Sequence, residues 1–366
     1  MDSPTQALLG AATAQLGFRQ RIGRDASWVA AFTAYAPDLD SFIAPVMGSM
    51  GYQDPFASML YHRWITHSLL VIPLTALLFA LPWYLGRRIY NGYHRKRGND
   101  PGSAPLWMLF LCCLVAAATH APLDWCTSYG TQLLSPITNA RYAIDVVAIV
   151  DIIYTPILIA TLVTCWIVRR GRKNLHKKAT VIIAIVGLAL STGYLCAGRL
   201  MHNRAIETAL AELNFSDNDV QRVKAYPMIG SIFLWQAVLE TEDEWIIVRV
   251  HHLADPADDR LTTRFDKVPE NEYIRQARDT RGYRIYNWFA DDQIRWEYER
   301  GSDGSHVVTM HDMRYAFYTN DGRSLWPVRV TFAPDGGEPT VERLRGRGGG
   351  DMRDFVARIW ADLTNP

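Results

Sequence analysis

The chain has 366 residues and a formal net charge of +1, with 49% hydrophobic and 20% charged residues. That length accommodates two domains, and a net charge this close to neutral says nothing about partners; no nucleic-acid partner is expected. The averages conceal two unlike halves: residues 1–200 carry long apolar runs broken by short basic loops, whereas 201–366 are charged, aromatic and free of such runs.

The opening "MDSPTQALLG" begins with an acid rather than a basic stretch, so it is not expected to be a cleaved signal peptide. Two short apolar segments follow, 5–18 and 26–36, joined by the basic "RQRIGRD". They fit either a hairpin inserted from the outer side of a membrane or a pair of core or interfacial helices. Four later segments, 68–85, 106–121, 143–168 and 180–197, are apolar enough to cross a bilayer, which takes about 20 residues of helix. The third contains Asp145, Asp151 and Pro156, so it is neither uniformly apolar nor straight. The loops "GRRIYNGYHRKRG" and "RRGRKNLHKK" are strongly basic and belong on the cytoplasmic side. Residues 122–142 carry the single cation Arg141 and belong outside, which also places the polar C-terminal half outside.

All five cysteines lie in the apolar half without a CxxC pair, so they read as small apolar side chains. Beyond about residue 203, "SIFLWQAVLE" and "EWIIVRVHHL" flank "TED" as a hairpin. "RIYNWFA", "IRWEYER", "HVVTMHD", "RYAFYTN" and "VRVTFAP" follow as further strands, and "DMRDFVARIWADL" as a closing amphipathic helix. The expected fold is a mainly α polytopic membrane domain, a helical bundle, over 1–200, followed by an antiparallel β-rich extracytoplasmic domain over 201–366.

The outer ends of the predicted helices collect ionisable residues: Asp38 and Asp40 in "PDLD", His62 and His67 in "YHRWITHS", and His120 and Asp124 in "THAPLD". Asp145 and Asp151 lie close by. Charge at membrane depth is costly, and such positions mark a site. His120 and Asp124 are four apart, which on a helix turns both toward one cation. His62 and His67 are five apart, about 140° on a helix, so both face one ion only where the chain bends, with Thr66 or Ser68 capping the helix beyond. Asp38 and Asp40, after a proline, point the same way in an extended chain. Imidazoles and carboxylates together suit Zn²⁺ or Mn²⁺, one to three ions. A metal-activated water then cleaves an ester, with a surplus acid such as Asp40 as general base or as partner to a histidine. Arg63 is placed to hold a substrate phosphate.

These stretches resemble the membrane-bound metal-dependent hydrolases of the YdjM-like family of bacterial inner-membrane proteins. "DSPTQALLGAA", "PDLD", "HRWITHSLL" and "THAPLDWCTSYGTQLLSP" carry the resemblance, with "VDIIYTP" around Asp151 as a weaker fifth. The family is in turn similar to the zinc-dependent phospholipase C and P1 nuclease group. The resemblance implies a phosphoesterase whose metal ligands are Asp38 or Asp40, His62 and/or His67, and His120 with Asp124, with Asp151 as a further candidate. It departs from the family at Gln6, where some members have His, so Asp2 is an alternative donor, and at Trp64, where Gly is common. The resulting expectation is a multi-pass enzyme of the bacterial inner membrane that acts on a phosphoester, including a lipid headgroup. The alternative is a non-catalytic metal-binding or transport protein.

Overall fold

Contacts in the computed structural model, which describes residues 1–95, 104–170, 176–216, 218–253, 262–316 and 322–344, divide the chain into two units. One comprises Met1–Phe42 and His62–Ala197, the other Ile43–Tyr61 and Gly198–Pro366. The helices in chain order begin with α1 (Ser3–Thr13), α2 (Phe18–Ile22), α3 (Asp25–Tyr35), α4 (Ile43–Ser49) and α5 (Ala57–Tyr61). The longer ones follow: α6 (Ile72–Arg95), α7 (Leu106–Trp125), α8 (Tyr154–Arg170) and α9 (His176–Glu212).

In the first unit, small side chains let helices approach closely. Ala26, Val29, Ala30 and Ala34 of α3 pack with Ala76 and Ala80 of α6 and with Cys112, Cys113 and Ala116 of α7. Such interfaces suit helices in lipid, where close van der Waals contact replaces the hydrophobic drive. The cysteines are free thiols, and Cys112 and Cys113 are buried as apolar side chains. Gly10 of α1 faces α3 so tightly that a Cβ there would lie 2.5 Å from the Ala34 Cβ and 2.6 Å from the Ala30 carbonyl oxygen. On the other side of α1, Leu9 and Ala12 meet Tyr154 and Leu158 of α8.

Among the described residues, two helices are long and apolar enough to cross a membrane, Leu106–Trp125 and Lys177–Glu212, and α6 adds a third when taken with the short helical segment before it. Leu74 and Leu78 of α6, Ile159 and Trp166 of α8, and Ile182 and Leu190 of α9 are exposed, as side chains facing lipid would be. The segment expected as a third span is shorter than predicted. Helix α8 starts only at Tyr154 and has 17 residues. Asp145 before it takes a positive φ of 53°. Asp151 Oδ1 accepts the backbone N–H groups of Ile153 and Tyr154, both at 2.8 Å, and so fixes where the helix begins. Pro156 falls in the first turn, where its missing N–H costs nothing.

The second unit holds two four-stranded antiparallel sheets, each in sequential order. The first is β1 (Arg222–Pro227), β2 (Leu234–Glu240), β3 (Glu244–His251) and β4 (Thr262–Asp266). Helices α10 (Glu272–Arg278) and α11 (Arg281–Phe289) lead into β5 (Ile294–Arg300), β6 (His306–Asp312), β7 (Val328–Phe332) and β8 (Thr340–Arg343). The hairpin read around "TED" is present, with Glu240 opposite Trp245. One expected strand is not. "RIYNWFA" lies largely in α11, because Thr280 caps that helix by accepting the Tyr283 N–H at 3.1 Å and Gly282, Tyr286 and Phe289 bury one helical face. Met313–Tyr315, at the start of "RYAFYTN", is a 3-10 turn, and 317–321 lie outside the described residues, as does the predicted helix at 351–363. The segment Ile43–Tyr61 belongs with this unit through Arg281, whose guanidinium pairs with Asp54 at 2.7 Å.

Candidate metal centre

Asp38 and Asp40 sit on a 3-10 helix, Ala36–Phe42, that continues directly from α3. The chain there is not extended, so the two carboxylates do not point the same way. On a three-residue turn, residues two apart diverge, and here they approach the same imidazole from opposite sides. Asp38 Oδ1 lies 3.3 Å from His67 Nε2, and Asp40 Oδ2 lies 3.1 Å from His67 Nδ1. His67 itself is on a short 3-10 turn, Ile65–His67, just before α6. The bend required between the two histidines occurs at Arg63, whose φ is 62°. Thr66 does not cap the helix beyond; its hydroxyl donates to Asp40 Oδ2 at 2.6 Å. Ser68 accepts the Leu70 N–H at 3.2 Å in the turn that leads into α6, and donates to the Ser135 carbonyl at 2.6 Å.

His120 and Asp124 occupy the last turns of α7 and keep their common face despite Pro122 between them. His120 Nδ1 donates to the Ala34 carbonyl at 2.6 Å, and Asp40 accepts from His67 Nδ1. Both rings therefore turn Nε2 inward, the orientation in which ligating histidines are held by a hydrogen bond from their other nitrogen.

Asp38, His67, His120 and Asp124 are all buried, and each offers a donor atom within 4.8 Å of the other three. The four imidazole–carboxylate separations are 3.3 Å and 3.5 Å to Asp38 Oδ1, and 3.2 Å and 3.4 Å to Asp124 Oδ2. A tetrahedron with metal–ligand bonds of about 2.1 Å has edges of about 3.4 Å. The four atoms are thus spaced as ligands of one ion would be. Among the described residues, His120 Nε2 and Asp124 Oδ2 also have no hydrogen-bond partner although buried, and neither does Asp38 Oδ2. Unsatisfied polar atoms are costly in a protein interior, and a divalent cation would satisfy those facing the shared point. Burial alone would raise the Asp38 carboxyl, but the His120 and His67 imidazoles beside it outweigh that and hold it well below the usual range. Asp40 is depressed likewise, burial being overcome by His62 and His67. Both are anions at neutral pH.

The remaining predicted residues have other places. His62 is outside the four-donor group; its Nδ1 pairs with Asp40 Oδ1 at 2.7 Å, its side chain is 25% exposed, and its ring lies 5.8 Å from that of His67. Arg63 is buried and does not face an open edge. Its guanidinium bonds Asp124 Oδ1 at 3.2 Å and Thr127 Oγ1 at 2.7 Å, and stacks over Tyr129 at 4.9 Å. Asp151 is bonded to Tyr194 Oη at 2.8 Å and to the start of α8, apart from the group. Asp2 caps α1 through the Thr5 N–H at 3.0 Å.

Sequence reading missed three supports. Gln6 Nε2 donates to Asp124 Oδ1 at 3.0 Å, and the Met1 amine reaches the same oxygen at 2.6 Å, which turns Oδ2 toward the histidines. The Ala34 carbonyl is a backbone group and leaves no trace in residue type. Because Gly10 allows α1 to press against Ala34, Gly10→Val is expected to displace the anchor of His120. Thermal unfolding and elemental analysis of the purified protein should show a lower midpoint and a reduced metal content together.

The model of the YdjM inner membrane protein family matches residues 1–204. The chain belongs to that family. No curated protein and no solved structure matches it. The matched residues contain the whole four-donor group, the helix Leu106–Trp125 and most of Lys177–Glu212. This is therefore an inner-membrane family member with a buried cluster able to hold a metal ion.

Proposed function

We propose that this protein is a membrane-bound metal-dependent hydrolase that cleaves a phosphoester at headgroup level. The observation that supports it is the pairing of a metal-spaced donor group with an Asp40–His62 couple on its partly exposed edge. Asp38, His67, His120 and Asp124 would hold the ion, zinc or manganese by the chemistry of the donors. When bound, such a cation supplies a Lewis acid and lowers the pKa of water at the site. The chain's own residues do the rest. Asp40 fixes the His62 ring by accepting from Nδ1, leaving Nε2 to take a proton from water and return it to the leaving oxygen. Arg63 positions Asp124 rather than meeting substrate. In this reading the bilayer is the partner, and the substrate is a phosphoester, including that of a lipid. The basic stretches at 86–98 and 169–178 lie on the cytoplasmic side, and the metal centre and C-terminal unit lie outside. The relation to phospholipase C and P1 nuclease is part of this proposal.

A second reading has its own observation. Four protein donors complete a tetrahedral ion, and closed sites of that kind are structural. His62→Ala separates the two. The hydrolase reading expects unchanged metal content and a loss of phosphodiester hydrolysis of about 10²–10⁴-fold, the range for general acid–base catalysis. A variant that keeps both its metal and its hydrolytic rate would leave the ion a structural role.

A further inference from the structure

A cleft of about 1110 Å³ opens along α1 where it meets α3 and α8. Ala7, Leu8 and Ala11 form one wall, Ala31 and Leu162 the others, and Trp28 and Trp166 flank it, 62% and 49% exposed. Pro4 lies at one end and Gln15 toward the other. At 1.5 Å per helical residue that separation is about 17 Å, close to half of the roughly 30 Å hydrocarbon core of a bilayer. The cleft is one leaflet deep, and slightly larger than the roughly 300–1,000 Å³ typical of small-molecule sites.

Its far end is lined by Arg19, Arg24, Arg169 and Arg170. Among the described residues none of these pairs with a carboxylate. Arg19 reaches Ser27 Oγ at 3.3 Å, and Arg169 reaches Gln15 Oε1 at 2.8 Å. Arg170 lies over the Trp166 ring at 3.7 Å. The nearby Asp25 is committed to Arg87 at 3.3 Å. Arg169 Nε is buried without a hydrogen-bond partner. Several guanidinium groups gathered at the end of an apolar cleft, with no acid among them, call for an anion that carries its own apolar tail.

We propose that this cleft binds one anionic phospholipid, with its phosphate on Arg19, Arg24 and Arg169 and an acyl chain along Ala7, Leu8, Ala11 and Leu162. A zwitterionic lipid brings its own cation and gains less from the arginines. A free phosphate would leave the apolar length unfilled. The site does not depend on the metal centre or on hydrolysis, and it draws its ligand from the leaflet at the arginine end.

The test is native mass spectrometry of the full chain released from bilayers of equal parts phosphatidylglycerol and phosphatidylcholine. One phosphatidylglycerol should be retained with about tenfold preference or more. Arg24→Gln combined with Arg169→Gln should abolish that preference. Ala11→Phe, which fills the cleft and leaves the arginines, should lower retention of the lipid. Both variants should keep the metal content of the unaltered protein, which reports folding separately. Millimolar inorganic phosphate should not displace the lipid. Equal retention of the two lipids, unchanged retention in both variants, or displacement by inorganic phosphate would each overturn the proposal.

Discussion

His120→Ala is expected to reduce metal affinity by more than about 100-fold, and the purified variant should contain almost no metal by elemental analysis. The change removes one of four donors, and it removes the one whose Nε2 is already oriented by the Ala34 carbonyl and otherwise unpartnered. Asp40→Asn is the informative comparison. Asp40 touches His62, Thr66 and His67 but is not among the four donors. Loss of a group that orients a ligating histidine costs about 10–100-fold in affinity, so this variant should bind metal weakly rather than not at all. Equal metal content in His120→Ala and the unaltered protein would remove the metal centre from the account.

The contrast between these two variants also shows what a linear sequence carries. The His120–Asp124 pair is legible because helical spacing alone puts both side chains on one face, and the apolar run before them announces the helix. Asp38 and His67 were legible only as polar residues at the ends of apolar segments. Their convergence depends on the left-handed backbone at Arg63 and on the 3-10 turn at Ala36–Phe42, neither of which a periodic pattern reveals. Asp151 illustrates the opposite error. An acid inside an apolar stretch looks like a site, but here the helix starts later and the carboxylate caps it. In the C-terminal unit, the alternation in "RIYNWFA" fits a strand nearly as well as a helix. The Thr280 cap and the burial of Gly282, Tyr286 and Phe289 decide for the helix. Arg63 looks like a residue for substrate in the sequence because its partners Thr127 and Tyr129 lie more than 60 positions away, beyond the reach of local reasoning.

Those distant partners lead to the largest expected effect on stability, that of Asp124→Ala. Asp124 Oδ1 receives the Arg63 guanidinium at 3.2 Å, Gln6 Nε2 at 3.0 Å and the Met1 amine at 2.6 Å, and its side chain is wholly buried. Truncation leaves a buried guanidinium without its counter-charge, a change that costs about 3–5 kcal/mol. For a unit of this size, that corresponds to a drop of roughly 10 °C in the unfolding midpoint. Metal loss alone would also lower the midpoint, so the cause is separated by adding Arg63→Met. The double variant no longer strands the guanidinium, and its methionine fills much of the same space; the Met1 amine loses the same partner in both variants and so cancels from the comparison. If the unpaired guanidinium dominates, the double variant should recover several degrees relative to Asp124→Ala while remaining free of metal. A midpoint that does not rise would instead assign the stability to the ion itself. In that case Arg63 matters because it turns Asp124 Oδ2 toward the histidines, rather than because its own charge must be balanced.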